Sequence, residues 1–117
     1  MINFLFKKGG PGIPGTFQVF FGMGPFRLDF VDPYNFSSPM NISLNQNTWR
    51  QKYNLLFVDN PIGVGFSYAG DNKSFPTNEQ QVGYQLYQFI YAFFEKHPNL
   101  QNNPFFIAGE SYGKKKN

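Results

Sequence analysis

Two stretches of this chain carry residues whose types and spacing could do chemistry together. One is Gly109-Glu110-Ser111-Tyr112-Gly113, and the other is the loop Gly9-Gly10-Pro11-Gly12-Ile13-Pro14-Gly15. In the first, a G-x-S-x-G pattern follows directly on the apolar run Phe105-Phe106-Ile107-Ala108. That context suits a nucleophile elbow, in which a serine sits on a sharp strand-to-helix turn with Oγ projecting from the sheet edge. The flanking glycines leave space that a Cβ would fill. Such a serine attacks an acyl carbon, and the resulting oxyanion is held by two backbone N–H groups. One follows the nucleophile and one comes from a glycine-rich loop after an earlier strand. Tyr112 is expected to supply the first and a glycine of the 9–10 pair the second. The loop could also be a plain turn or a phosphate loop, but no G-K-[ST] follows, and Pro11 and Pro14 remove two N–H donors.

The elements that must position these residues follow from hydrophobic patterning. Residues 2–6 read as the tail of a strand that breaks at the glycine-rich loop. Phe17 to Phe21 is mostly apolar and aromatic, Gly22-Met23-Gly24-Pro25 turns the chain, and Phe26 to Phe30 alternates as a half-buried strand does. Residues 32–48, polar with Pro33 and Pro39, are expected to be surface loop. Leu55 to Val58 and Phe105 to Ala108 read as buried strands. Between them Thr77 and Gln80 form a capping box for a helix over 78–97, carrying Val82, Leu86, Phe89, Ile90 and Phe93 at helical spacing. The helix is expected to stop near His97-Pro98. Strand, helix, strand in that order is a βαβ unit with parallel strands and a right-handed crossover. Tyr84, Tyr87 and Tyr91 are expected to form a second packed flank of that helix.

Composition bounds the reading. A chain of 117 residues is at most one domain, and it is short for a sheet covered by helices on both faces, so residues 1–117 are expected to form a single, incomplete domain. An aromatic content of 21%, with sixteen Phe, is a globular rather than a disordered composition. The net charge of +3 resides in Lys114 to Lys116, because the other basic residues balance the acidic ones, and nucleic acid is therefore not an expected partner. The absence of cysteine excludes disulfides and Cys-ligated zinc, and the single histidine, His97, is too little for a His-ligated metal site. No cofactor is expected. No segment has the ~18 apolar residues of a membrane span, and the opening residues lack the features of a signal peptide. Three N-x-[ST] sequons, at Asn35, Asn41 and Asn72, point the other way, toward a glycoprotein.

Four motifs in register then give a specific resemblance. They are Gly9-Gly10-Pro11-Gly12; Gly24-Pro25-Phe26; Leu56-Phe57-Val58-Asp59-Asn60-Pro61-Ile62-Gly63-Val64-Gly65-Phe66-Ser67-Tyr68; and Ala108-Gly109-Glu110-Ser111-Tyr112-Gly113. In order and spacing the chain resembles the serine carboxypeptidases, α/β-hydrolase peptidases that remove C-terminal residues at acid pH. The resemblance implies a partial α/β-hydrolase fold of parallel strands with a crossover helix. It also implies Ser111 as the nucleophile and Gly10 with Tyr112 as the oxyanion hole. Glu110, Gly9 and Lys8 would lie against the substrate's terminal carboxylate. Glu110 can bind that carboxylate well only when protonated, which accounts for the family's acid optimum. Peptide or protein C-termini are the implied substrates, and the vacuole, lysosome or secretory route the implied location.

Departures are as specific. The family has Asn where this chain has Lys8, Glu where it has Gly22, and Cys-Ser-Ser where it has Ile13-Pro14-Gly15. Lys8 can attract a carboxylate as a point charge, without the planar hydrogen bonding of an amide. The triad acid and base of such enzymes follow the serine in chain order. Only six residues follow Ser111, so the expectation is a chain truncated before both. His97 is expected on the surface at a helix C-terminus, and Asp59 in a pocket loop. A non-catalytic remnant of the same fold, acting by association, is the alternative that the absent base and the altered Lys8 and Gly22 suggest.

Overall fold

The computed structural model describes residues 1–7, 9–10 and 12–111. Strand β1, Ile2–Lys7, is the centre of a three-stranded parallel sheet of order β4-β1-β5, with β4 at Tyr53–Phe57 and β5 at Phe105–Gly109. Phe4 opposes Leu55 on one side and Phe106 on the other, and Lys7 opposes Gly109. A strand flanked on both sides needs a continuous apolar run, and β1 has one: Leu5 is completely buried and Phe6 nearly so.

The two faces of the sheet are dressed differently. On one face Phe4, Phe6, Tyr53, Phe57 and Phe106 form an aromatic layer, with Phe6 stacked on Phe57 at 5.5 Å and Phe4 on Phe106 at 5.4 Å between ring centroids. Trp49, on a 3-10 turn just before β4, stands edge-on to Phe4 and Phe6. The other face meets α2, Glu79–Lys96, through Phe94 against Phe105, and the short α3, Pro98–Gln101. Val82 and Leu86 are the buried residues of α2.

The strands at 53–57 and 105–109 are parallel, as expected of a βαβ unit, with β1 lying between them. Other expectations change. Residues 32–48 are not all loop. β2, Phe26–Phe30, and β3, Met40–Leu44, pair antiparallel, Phe30 opposite Met40, because Met40, Ile42 and Leu44 alternate with Asn41 and Ser43 and match the period of β2. The helix cap sits one residue later than Thr77: Asn78 accepts from the Gln81 N–H, and the Gln81 side chain reaches back to the Thr77 N–H. Tyr84, Tyr87 and Tyr91 are 59–64% exposed, so they face outward among the described residues and do not form a packed flank. Between Thr16 and Gly22, Phe17–Phe21 is a one-turn helix, α1.

Candidate active site

In parallel α/β sheets function gathers where strands end at their carboxyl side. Here three strand ends meet: Gly9-Gly10 after β1, Asp59-Asn60 after β4, and Glu110-Ser111 after β5. The Glu110 N–H donates to the Lys7 carbonyl at 3.2 Å, so the β1–β5 ladder brings the segment before Ser111 alongside the chain entering the glycine loop. Ser111 then leaves the strand direction with φ +54°. A serine in the left-handed region is uncommon, and an elbow that turns a nucleophile out of a sheet is one place where such strain is used. Ser111 and Glu110 are both exposed.

The glycine loop is shaped for close approach. Gly10 has φ +69°, a conformation costly for any residue with a Cβ, and its carbonyl accepts from the Ile13 N–H at 2.9 Å. Gly9 is buried. Lys8 and Tyr112, expected at the carboxylate subsite and the oxyanion hole, lie outside the described residues.

The device that holds these loops is Asp59, only 8% exposed at the end of β4. Its carboxylate accepts from the Thr16 N–H at 2.8 Å, from Thr16 Oγ1 at 3.1 Å, and from the Phe66 N–H at 2.9 Å. The Ser67 hydroxyl donates to the Asp59 carbonyl at 2.6 Å. One buried carboxylate thereby clamps the end of the glycine loop to the loop 61–67. Backbone N–H donors and a hydroxyl provide the hydrogen bonds that a buried carboxylate requires. The approach is so close that a Cβ on Gly65 would overlap Asp59 Oδ2. Asp59 was expected in a pocket loop; it is the fastener of two loops, and the signal for that was its position at a strand end among closely spaced glycines.

Gln18 was not anticipated at all. It is 6% exposed on α1, and its Nε2 donates to Glu110 Oε2 at 2.7 Å, across 92 positions of sequence. Only Gly22 hinted at it, being a glycine one helical turn on.

His97 lies elsewhere. It is exposed, caps the C-terminus of α2 through its N–H to the Phe93 carbonyl, and packs its ring on Phe93. The following α3 is fastened to the amino end of β1, where Asn3 Nδ2 donates to the Leu100 carbonyl at 2.8 Å. His97 therefore stands at the end of the sheet opposite Ser111, separated by the length of β5, roughly 16 Å at the usual strand rise. Among the described residues no group of three or more His, Asp or Glu side chains could hold a metal ion. No helix among them is long and apolar enough to cross a membrane.

Comparison with known proteins gives the family. Residues 5–115 match the serine carboxypeptidase family, peptidase S10. Serine carboxypeptidase-like 49 of Arabidopsis thaliana is 42% identical over 108 residues, covering 92% of this chain and 19% of that protein. The vitellogenic carboxypeptidase of Aedes aegypti is 37% identical over 92% of this chain and 21% of its own length. The venom serine carboxypeptidase of Apis mellifera is 36% identical over 95% and 22%. The chain thus spans about a fifth of the length of the relatives it matches. Matched over residues 5–115 by the family's model and 36–42% identical to these relatives, the chain belongs to the serine carboxypeptidase family.

Proposed function

We infer that the polypeptide carrying this chain is a serine-type carboxypeptidase, and that residues 1–117 are the part of its α/β-hydrolase domain holding the nucleophile and half of the substrate site. The observation that carries the reading is Ser111 at φ +54° at the end of a parallel strand, its neighbouring strand leading into the Gly10 turn. In the proposed reaction Ser111 Oγ attacks the carbonyl carbon of the last peptide bond and passes its proton to a histidine base. His97 stands at the wrong end of the sheet for that role, so the base and the acid that orients it come from polypeptide outside these residues. The backbone N–H groups of Gly10 and Tyr112 hold the oxyanion, each such donor being worth on the order of 100-fold or more in rate. Collapse breaks the C–N bond, the histidine returns its proton to the departing amine, and the C-terminal amino acid leaves. Water then takes the place of the amine, attacks the acyl-serine carbonyl, and frees the shortened peptide and Ser111.

Glu110, Gly9 and Lys8 form the proposed subsite for the terminal carboxylate, which distinguishes the end of a peptide from its middle. Asp59 positions the Gly10 loop through Thr16 and does not itself touch substrate. The proposed location is the secretory route or the vacuole. The exposure of Asn35, Asn41 and Asn72, each heading a sequon, supports it.

The test is hydrolysis of a blocked dipeptide with a free carboxyl end, and of its C-terminal amide, by the full-length protein. Release of the last amino acid from the free acid, slow turnover of the amide, and a fall in kcat of at least about a thousandfold in Ser111→Ala are expected. Unchanged hydrolysis in Ser111→Ala would overturn the assignment.

A further inference from the structure

We propose that Gln18 is a positioning residue for Glu110, holding its carboxylate in the orientation that meets the substrate. The inference rests on the reading of Glu110 as a substrate contact.

Gln18 is held from every side except its own amide. Its backbone N–H donates to the Gly15 carbonyl at 3.0 Å and its carbonyl accepts from the Gly24 N–H at 3.0 Å. Gly15 in turn lies so close to β4 that a Cβ there would overlap the Val58 carbonyl, and the adjacent Thr16 is clamped by Asp59. The amide is thus launched from a rigid support, and it ends on Glu110 at 2.7 Å. Glu110 is exposed and Gln18 buried, so the bond is only partly shielded from water and its contribution to stability is modest. Burying a flexible glutamine side chain also costs rotamer freedom. What the bond does accomplish is geometric: it fixes the carboxylate directly preceding Ser111.

Chemistry adds a direction. The amide nitrogen can only donate, so Glu110 Oε2 acts as an acceptor. A carboxyl proton on Glu110 is thereby kept off Oε2. A neutral amide achieves this without adding a charge beside an anionic ligand.

Gly22 is the second half of the device. A Cβ at position 22 would overlap Gln18 Oε1. A side chain at 22 and the glutamine amide at 18 therefore exclude each other. This explains why the residue before the Gly24-Pro25 turn is free to be glycine here: the space in front of Glu110 is filled from one helical turn earlier.

The experiment uses the full-length protein with two probes, N-acetylphenylalanine and N-acetylphenylalaninamide, and measures the rate at which a fluorophosphonate labels Ser111. Gln18→Ala is expected to raise the Kd of N-acetylphenylalanine about tenfold, the loss of roughly one charge-assisted hydrogen bond. That rise should exceed both the change in Kd of the amide probe and the change in labelling rate. Gly22→Ala is expected to reproduce it, because the new Cβ displaces the amide. Should Gln18→Ala fail to fold, Gln18→Asn, which keeps an amide but withdraws it by one methylene, is expected to give the same rise. Equal Kd values for N-acetylphenylalanine in wild type and variants would overturn the proposal. So would a parallel fall of both affinities and the labelling rate, which is the mark of a merely structural role. If wild-type Ser111 is not labelled while binding of N-acetylphenylalanine still depends on Gln18, the catalytic reading fails and the positioning role stands. If the wild type does not bind the acid probe, both fail.

Discussion

The two ends of β1 are each organised around one buried polar side chain, and the contrast between them separates what holds the sheet from what shapes the site. At the amino end Asn3, 6% exposed, donates to the Leu100 carbonyl and accepts from Asn54 Nδ2 at 2.9 Å. A neutral amide there joins β1, β4 and α3, gives as well as takes, and bridges elements of regular structure. At the carboxyl end Asp59 only accepts, and all of its partners are in loops. A carboxylate can gather several N–H groups at once without supplying a donor, which suits a place where backbone must be bent toward a reacting group. The residues proposed to carry the chemistry, Gly10, Glu110 and Ser111, are all at that end.

The contrast gives its largest expected effect at Asp59. Replacing it by alanine leaves the Thr16 and Phe66 N–H groups without their acceptor in a part-buried place, and each such loss costs about 1–3 kcal/mol. A total of about 3–5 kcal/mol, read by chemical denaturation of the full-length protein, is expected together with loss of peptidase turnover. A variant that stays folded and fully active would break the distinction between the two ends. Asn3→Ala sharpens it from the other side. About 1–2 kcal/mol of stability should be lost as Asn54 Nδ2 and the Leu100 carbonyl lose their partner, while kcat of the folded fraction stays within about twofold. Loss of turnover without loss of stability in Asn3→Ala would place site-shaping at the wrong end.

The smallest effect concerns a third acceptor, Asp71, outside both clusters. Its carboxyl is held below the ordinary aspartate range, first by the Ser74 hydroxyl and then by the Ser74 N–H, with the Lys73 N–H adding to them. A lowered value means the folded form favours the carboxylate. The contribution is therefore complete above the ordinary aspartate range and is lost as pH falls through the lowered value. Amide protection at Lys73 and Ser74, corrected for intrinsic exchange, is expected to fall as pH drops below the ordinary aspartate range, ahead of any fall at Leu5 and Phe6 in β1. An equal and simultaneous fall at all four would mean that the sheet and this turn open together.

How much of this was legible in the sequence depends on the range over which each contact acts. The strand and the turn into Ser111 were readable because what marks them is local: an apolar run, then glycine, three residues and glycine. The helix cap was readable to within one residue, because Thr77 and Asn78 are both good caps and the Gln81 side chain selects the register. β3 carried a period of two in Met40 to Leu44, but the neighbouring prolines and asparagines outweighed it in a short window. That β1 inserts between β4 and β5 has no local signature, since a strand predicted as buried does not say which strands bury it. The exposure of Tyr84, Tyr87 and Tyr91 likewise escaped, because helical spacing defines a face and not what covers it. Gln18 was the least legible, as its contact spans 92 residues and only the glycine at 22 marks the space it fills.

The central claim is that Ser111, turned out of the sheet beside the Gly10 loop, is an activated nucleophile. The most direct measurement is fluorophosphonate labelling of the full-length protein followed by mass mapping of the modified peptide. One adduct, on Ser111, is expected, with loss of peptidase turnover in proportion to labelling. Peptidase turnover that persists with Ser111 unmodified, or an adduct on another serine that alone abolishes it, would contradict the account.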